Sequence, residues 1–444
     1  MLTTLIGRLK TLSLIALTCA MTITQAATPD STWQAPMIVE HLSPDQWNPA
    51  TASNNSGIRF VAWQQSNGTG DDIWAVRHAA DGTAGSPVLI AHFAQDYIAE
   101  LKVSVDDAGN AFVAWVIDEA PFSAPRRLWV NRFVAGSGWG SGWGTPQVID
   151  GYAKRSATNL HLVFDHAGNA FALWQEYDCC SIHSLQSIVV NRYTKLAGWS
   201  KPVRLDDAQA FLAGKINIQV DGAGNAYASW TRVADIHYPT PDLLVSRYAL
   251  NSGWNTQIIA TESAYNSAGN QALAVNPRGE AFLMWADDGG LKFARANESG
   301  QWGATILIDP NVTFAPSQMV LLDDDEAFAV FIDGVKRFMP ENGWWSWTHP
   351  LMTNQNASSE PRIAADASGN ALVAWTQNIA GVDRIYAKRY RADYGWLGAA
   401  PIDDSNTLGA GLEELRLNSG GTGSAAWWQS NDAGTVDIWA ASFQ

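Results

Sequence analysis

Apolar and polar residues alternate along most of this chain with the period of a β-strand, and one pattern recurs. The clearest copies are VSVDDAGNAFVAW ending at Trp115, LVFDHAGNAFALW at Trp174, IQVDGAGNAYASW at Trp230, LAVNPRGEAFLMW at Trp285 and IAADASGNALVAW at Trp375. Weaker copies end at Trp63, Phe331 and Trp427. The eight ends are on average about 52 residues apart, a period typical of propellers and solenoids.

Each copy predicts a β-hairpin. Apolar residues alternate before the turn, as in Ile216, Ile218 and Val220. The Asp-x-x-Gly-Asn stretch is turn chemistry, because Asp hydrogen-bonds to its own backbone and Gly accepts positive φ. The pattern of a third strand follows, as in LWVNRF. A fourth strand is predicted where a Trp, often with a Pro, begins the next segment, as in GWGTPQVI. Four antiparallel strands per repeat predict a propeller blade.

The repeats predict an all-β fold, a single β-propeller of eight four-stranded blades within residues 27–444. The last repeat supplies only three strands, whereas the N-terminal segment TWQAPMIVEHL has the Trp-x-x-Pro layout of a fourth strand. Pairing this N-terminal strand into the last blade would close the ring without an open sheet edge. A seven-bladed ring, in which the copy ending at Phe331 is spurious, is the alternative.

The pattern of residues 1–26 is typical of a secretory signal peptide. Arg8 and Lys10 precede an apolar run from Leu12 to Ala20, and small residues surround a cleavage point after Ala26. Ala16 and Thr18 before Cys19 do not fit a lipoprotein signal. We therefore expect an exported protein, periplasmic or extracellular, with no membrane span in the mature chain.

The charge narrows the choice of partners. The full chain carries a net charge of −15, and removal of Arg8 and Lys10 with the signal makes it −17. Such a surface repels phosphate backbones and anionic lipids, so nucleic acid and membrane surfaces are excluded as partners. We expect a monomer.

Two repeated residue types are expected to be structural. The Trp at each hairpin end supplies a large aromatic that can wedge between neighbouring sheets. A third-strand Arg is expected to pair with a turn Asp of the adjacent blade; it occurs as Arg77, Arg132, Arg192, Arg247, Arg295 and Arg389.

Polar residues that alternate along the innermost strands predict a cluster of side chains at the mouth of the central channel. The candidate ligand-binding residues are Glu100, Lys102, Asn159, His161, Lys215, Asn270, Glu360, Arg362, Glu414 and Arg416, with Asn217 and Ser317 beside them. A water-filled channel with mutually paired charges is the alternative. The same loops carry several aromatic residues, which would suit the binding of a sugar, although ordinary packing of the loops would also explain them. These residues are Tyr97, Tyr152, Tyr177, His183, His237, Tyr238 and Tyr265.

The mature chain has two cysteines, and these are adjacent. Export favours oxidation, so a vicinal disulfide between Cys179 and Cys180 is possible although strained, because adjacent Cα atoms are only ~3.8 Å apart. Nearby His183 gives too few ligands for a metal site.

No catalytic motif stands out. The sequence has no His-Glu-x-x-His, no Gly-x-Ser-x-Gly and no phosphate-binding loop. The acidic pairs Asp71-Asp72, Asp206-Asp207 and Asp403-Asp404 lie at strand ends, where we expect them to be solvated. The run Asp323–Glu326 is a weak calcium candidate. We predict no metal and no cofactor.

These repeats resemble those of bacterial exported propellers in the broad sialidase-like and lectin-like groupings. The resemblance covers the mature chain and implies a propeller architecture. Sialidase activity would require Ser-x-Asp-x-Gly-x-x-Trp boxes and a Phe-Arg-Ile-Pro segment, which this sequence lacks. Quinone-dependent dehydrogenases also combine eight blades with adjacent cysteines, but their tryptophan-docking repeat is not matched here.

The leading functional hypothesis is a non-enzymatic binding module for glycan or cell-surface material, with its site on one face of the propeller. An interaction scaffold for an envelope or extracellular protein is the first alternative. A sialidase-like glycan-cleaving enzyme is the second; it would need two carboxylates ~5–10 Å apart across the channel, for which Glu100, Glu360 and Glu414 are candidates.

Overall fold

Each of the eight repeats forms one antiparallel sheet whose strands are paired in the order first, second, third, fourth. The computed structural model describes residues 33–41, 46–119, 124–138, 140–151, 155–178, 186–206, 211–212, 214–233, 241–261, 271–312, 314–346, 348–351, 361–403, 409–418, 421–430 and 435–443. These residues contain strands and no helix, so the predicted all-β class and eight blades are confirmed. The described part of the chain contains no apolar helix of membrane-spanning length. The signal peptide predicted over residues 1–26 lies outside the described residues.

The blades are numbered here in chain order, and each has four strands from the channel outward. The first strands are Gln46–Ser53, Tyr97–Val105, Ser156–Phe164, Phe211–Leu212 with Asn217–Val220, Gln271–Val275, Gln318–Leu321, Arg362–Ala365 and Gly409–Leu417. The second strands are Arg59–Ser66, Ala111–Asp118, Ala170–Tyr177, Ala226–Val233, Ala281–Asp287, Ala327–Val330, Ala371–Ile379 and Gly423–Ser430.

The two outer strands complete each blade. The third strands are Asp71–His78, Arg127–Phe133, Gln186–Thr194, Pro241–Ala249, Gly290–Ala296, Gly334–Met339, Val382–Arg391 and Val436–Phe443. The fourth strands are Val88–His92, Gln147–Val148, Gly198–Trp199 with Val203–Arg204, Gly253–Thr261, Ile306–Asp309, Gly343–Trp344 with His349–Pro350, Gly395–Trp396 with Ala400–Pro401 and, for blade eight, Met37–His41.

The ring closes where the two ends of the chain meet. Consecutive first strands contact each other around the ring, including those of blades eight and one. The N-terminal strand pairs with the third strand of blade eight, with Met37 opposite Ala440 and His41 opposite Asp437. The Gln34 N–H donates to the Ser442 carbonyl at 2.8 Å just before it. Closure by the N-terminal strand is therefore confirmed.

The Trp at the end of each hairpin is buried between neighbouring sheets. Trp115 of blade two, for example, packs against Ala62, Ile73 and Ala75 of blade one. The remaining hairpins repeat this contact, with Phe331 in place of Trp in blade six. Each aromatic side chain of this kind buries about 200 Å², so the ring of side chains contributes apolar stabilisation at every interface between sheets.

The turn between the first two strands has the predicted chemistry. Asp106 accepts hydrogen bonds from the backbone N–H of Asn110 at 2.8 Å and from its side-chain amide at 2.7 Å, and Gly109 has φ of 81°. Blade six departs from this pattern, because Asp325 occupies the glycine position with φ of 67°. Its carboxylate pairs with Arg278 and Arg295, and Glu326 pairs with Arg337. These ion pairs leave the run Asp323–Glu326 poorly suited to calcium.

The third-strand arginines stack on aromatic rings more often than they pair with turn aspartates. Arg132 lies over the Tyr193 ring of the next blade, and Arg192 over that of Tyr248, with 5.2 Å to the centroid in each case. Arg295, in contrast, reaches Asp325 of the adjacent blade at 3.1 Å. The expected pairing is therefore correct for Arg295, while cation–π stacking between blades explains the other two.

The expectation that the acidic pairs are solvated was wrong for the first residue of each pair. Asp71, Asp206 and Asp403 are buried. The Asp71 carboxylate accepts a hydrogen bond from the Ile98 N–H of the next blade. The Asp206 carboxylate accepts one from the Ile188 N–H, and the Asp403 carboxylate accepts one from the Arg384 guanidinium. A carboxylate with such donors tolerates burial, so these residues tie strands together rather than face water.

Candidate functional site

The first strands of blades two to seven surround a cavity of about 540 Å³ on the ring axis. Its polar lining includes Glu100, Lys102, Asn159, His161, Lys215, Asn217, Ser317, Gln318 and Arg362. We call these residues the channel site. Six of the ten predicted ligand-binding residues belong to it, so the alternation of the first strands placed them correctly; Gln318 is an addition that the pattern did not single out.

Several predicted residues lie outside the described part of the chain. Among the channel candidates these are Asn270 and Glu360; among the aromatic loop candidates they are Tyr152, His183, His237, Tyr238 and Tyr265. Cys179 and Cys180 lie outside it as well, so the vicinal disulfide stays a prediction.

Glu414 and Arg416 are not in the channel. The Glu414 carboxylate accepts hydrogen bonds from the Ser53 N–H at 2.6 Å and the Ser53 hydroxyl at 2.8 Å in blade one. Arg416 donates to the same carboxylate at 2.9 Å. Both residues therefore lie between blades eight and one, and their predicted place in the channel was wrong.

A β-bulge explains this error. The pairing of the first and second strands of blade eight shifts between Leu412 and Glu414, which leaves Glu413 as the extra residue. A bulge re-aims the side chains on either side of it, so the parity of the strand no longer predicts their direction. The signal was present in the sequence, because the apolar spacing lengthens to three between Leu412 and Leu415.

Glu413, the extra residue of this bulge, is a second residue that the sequence analysis missed. The charges of Arg362 in blade seven and Lys102 in blade two, which both line the cavity, act on its carboxyl, although Glu413 itself is not part of the cavity lining. Burial raises the pKa of Glu413, and these two cations oppose the rise. Its carboxyl is thus a weaker acid than an exposed one.

Glu100 has a structural task within the channel wall. Its Oε1 accepts hydrogen bonds from the Thr158 hydroxyl and the Asn159 N–H, both at 2.7 Å, and Oε2 accepts the Leu160 N–H at 2.9 Å. Asn159 sits at a bulge with φ of 53°. The carboxylate therefore holds this irregular segment of blade three in place.

The channel site is cationic. Lys102 and Arg362 are exposed in it and Lys215 is half-buried. Burial lowers the pKa of His161 to about 4; the ammonium groups of Lys102 and Lys215 act in the same direction and Glu100 opposes them. His161 is accordingly neutral near pH 7, so it can accept a hydrogen bond as well as donate one.

Known proteins match this chain in fold only. No protein-family model and no curated protein matches the sequence. Among solved structures, the polysaccharide lyase Uly1 is 9% identical with a TM-score of 0.50, over 89% of this chain and 89% of the lyase. A protein of unknown function from Dyadobacter fermentans is 10% identical with a TM-score of 0.42, over 93% and 98% of the two chains. The Hadza microbial sialidase Hz136 is 12% identical with a TM-score of 0.42, over 86% and 76%.

The match to the lyase shows a shared propeller architecture. At 9% identity it shows nothing about activity, because one fold hosts many functions. The expected architecture-level resemblance is confirmed to that extent, and the function has to be argued from the channel site itself.

Proposed function

We propose that this chain is an exported binding module that recognises a glycan carrying acidic groups through its channel site. The observation that carries the proposal is the grouping of Lys102, Lys215 and Arg362 around one axial cavity. Export rests on the N-terminal sequence, whose basic start and apolar run resemble a signal peptide.

The neutral residues of the channel site suit a sugar. His161, Asn217 and Gln318 offer donors and acceptors at the cavity wall, where hydroxyl groups would meet them. A cavity of about 540 Å³ is within the size range of small-ligand sites, and a sugar residue or two would fit.

The cations select an acidic sugar over a neutral one. The protein as a whole carries a net charge of −15, so a cationic cavity is opposite in sign to its surroundings. Field lines from a recessed cluster of one sign are focused toward the opening and attract ligands of the other sign. A uronate carboxylate or a sulfate would satisfy Lys102 and Arg362, which are exposed to the cavity.

A glycan-cleaving enzyme is the second candidate. It is favoured by two groups: a carboxyl with a raised pKa at Glu413, on which the channel-site cations Lys102 and Arg362 act, and a neutral imidazole at His161 in the channel site. A proton donor and a proton acceptor are the minimum for acid–base cleavage of a glycan. Of the carboxylates first considered, Glu100 is hydrogen-bonded to blade three and Glu414 lies outside the channel.

A glycan array tests the binding proposal. Residues 27–444 are compared with a Lys102→Ala, Arg362→Ala double variant. A Lys201→Ala, Arg391→Ala double variant, called the outer-strand variant, removes the same two side-chain types from beside the fourth strand of blade three and from the end of the third strand of blade seven. We expect uronate-containing or sulfated glycans to bind, with at least tenfold weaker binding in the channel variant, because each lost charge-assisted hydrogen bond costs about 1.5–3 kcal/mol. The outer-strand variant should bind as the unmodified protein does.

Two results would contradict the proposal. Binding to no glycan would redirect the search to protein partners, and equal binding by all three proteins would exclude the channel site. Incubating a bound glycan with the protein and with a Glu413→Gln variant then separates the two candidates, because only an enzyme releases new chain ends.

A further inference from the structure

The interface between blades eight and one, called here the closing seam, differs in composition from its neighbours. Between blades two and three, Phe112 and Arg132 of one blade pack on Tyr193 of the other; the Phe112 and Tyr193 ring centroids are 4.9 Å apart. Strand register fixes the equivalent positions. Ser104, Phe112 and Arg132 lie opposite one another across the first three strands of blade two.

The equivalent row of paired residues in blade eight is polar, and two of its three side chains are small. Its members are Arg416, Ser424 and Ser442, which are paired across the first three strands of that blade. Two serines thus stand where blade two has a phenylalanine and an arginine. The side chains that fill the seam between blades two and three are absent here, which leaves room.

The facing row in blade one is also unusual. Arg59 is paired with His78, whereas the corresponding pair in blade three is Ala170 and Tyr193. The position of Arg59 is alanine in blades two to seven, at Ala111, Ala170, Ala226, Ala281, Ala327 and Ala371. The closing seam therefore has an arginine and a histidine where the seam between blades two and three has an alanine and a tyrosine.

These exchanges leave a polar cavity of about 600 Å³ in the closing seam. It is lined by Arg59, His78, Arg416, Ser424 and Ser442, and by Met37 of the N-terminal strand. Asp81 lies at its rim, where its carboxylate accepts the Thr83 N–H. A cavity of this size and polarity between two blades is comparable to small-ligand sites.

The charges inside this cavity are unequal. Arg416 donates to Glu414 Oε1 at 2.9 Å, and Arg59 Nε is 3.8 Å from Oε2 of the same carboxylate. One buried carboxylate thus faces two guanidinium groups. Arg59 Nε and Glu414 Oε2 are both enclosed without a hydrogen bond among the described residues, because their separation of 3.8 Å makes an ion pair but no hydrogen bond. An unsatisfied buried donor is costly unless a further acceptor reaches it.

His78 supplies a second unsatisfied group. It is only 7% exposed, and its Nε2 is enclosed without a hydrogen-bond partner in the part of the chain that the structure describes. Burial lowers the pKa of His78, and the charge of Arg59 acts in the same direction. A neutral His78 whose Nδ1 holds the proton presents a free lone pair at Nε2, which a ligand hydroxyl would satisfy.

We propose that the closing seam binds a hydroxylated carboxylic acid of monosaccharide size, such as a uronic or aldonic acid, with its carboxylate at Arg59 and Arg416 and a hydroxyl at His78. The site is separate from the channel site and does not depend on its function. Arginine favours a planar carboxylate, which it binds with two parallel hydrogen bonds. The Ser424 hydroxyl offers a further contact to the sugar ring.

Calorimetric titration tests this site. D-glucuronate, D-galacturonate and D-gluconate are titrated, beside neutral D-glucose and D-galactose, into residues 27–444 carrying Lys102→Ala and Arg362→Ala, so that the channel-site cations do not contribute; the variants below are made in this background. We expect at least one acid to bind and its neutral parent to bind at least tenfold more weakly. Binding by none of the acids, or equal binding by acid and parent, overturns the proposal.

The position of the binding site is tested with variants in which seam residues are replaced by those at the equivalent positions of other blades. Arg59→Ala installs the residue of blades two to seven, and the double change Ser424→Phe, Ser442→Arg installs the filling of blade two. Each should reduce acid binding at least tenfold, and two different variants protect the test against a failure of either to fold. Retained binding in a folded variant overturns the assignment.

One control and one comparison separate this site from the channel site. Arg391→Ala, added to the same background, removes an arginine from the outer rim of blade seven and should leave acid binding unchanged. Titration into the protein with an intact channel site then shows whether the channel adds a second binding event. Loss of all acid binding when Lys102 and Arg362 are removed would overturn the seam proposal while supporting a channel site, so the two proposals fail in distinguishable ways.

Discussion

The hairpin tryptophans carry a polar atom into the interior, and three of them find the same kind of partner. Trp427 Nε1 donates to Gln429 at 2.8 Å and Trp375 Nε1 to Gln377 at 3.3 Å, in each case two residues further along the strand. In blade three the partner is the carboxyl of Glu176, which is fully buried. Burial raises the pKa of Glu176 to about 7, because Arg204 and Arg155, at 3.5 and 3.6 Å, compensate only partly.

Replacing Glu176 by glutamine is therefore expected to stabilise the protein at high pH only. A folded-state pKa of about 7 against the ordinary 4.5 means that the folded protein keeps a proton that the unfolded chain releases. This contribution to stability is lost as the pH rises from 4.5 through 7. Glu176→Gln should match the unmodified protein at pH 4 and exceed it by up to about 3 kcal/mol at pH 8 in urea unfolding. Exposed Glu298→Gln is the control; an equal effect of Glu176→Gln at both pH values would contradict the assignment.

At the scale of a single element, the turn between the first and second strands holds each hairpin together. Its aspartate is buried and accepts backbone and side-chain donors, whereas the next residue points to solvent. In blade two these are Asp106, which is 5% exposed, and Asp107. Two adjacent residues of the same type thus differ only in what they contact.

Asp106→Ala should lower the free energy of unfolding by about 1–3 kcal/mol, because the N–H and the side-chain amide of Asn110 lose their acceptor. Asp107→Ala, whose contact is the exposed His166, should change it by less than about 0.5 kcal/mol. Chemical denaturation of the two variants measures this difference. Similar losses in both would mean that the turn is not held by its first aspartate.

The strands and hairpins were predictable, and so was the closure of the ring, because the N-terminal segment has the layout of the missing fourth strand; side-chain contacts between residues distant in sequence were not predictable. The hairpins follow from alternation and from the Asp-x-x-Gly-Asn turn, and six channel residues follow from strand parity. Glu413 was missed because a bulge interrupts that parity at Leu412. The cavity in the closing seam was missed because the repeat pattern predicts that blade eight meets blade one but not which side chains fill the interface; Arg59 and Ser442, which line the cavity, are far apart in sequence.

At the scale of the whole molecule, the ring depends on a strand that comes from the other end of the chain. Met37–His41 covers the edge of Val436–Phe443, and without it the backbone donors and acceptors of that edge would be open to other chains. The strand also lines the closing seam through Met37.

A chain that begins at residue 42 should therefore have a lower unfolding midpoint and aggregate with increasing concentration. A chain that begins at residue 33 keeps the pairing and is the control. Differential scanning calorimetry combined with light scattering measures both properties. An unchanged midpoint in the shorter chain would show that blade eight is stable with three strands.

The closure also has a consequence for how the molecule is made. Gln34 and Ser442, which are hydrogen-bonded partners, are 408 residues apart in sequence. A contact of such high sequence separation forms late in folding, because the loop that it closes must be ordered first. The N-terminal strand is consequently the last strand of the ring to find its partner, and until blade eight is complete it remains an unpaired β-segment that has to be kept from aggregating.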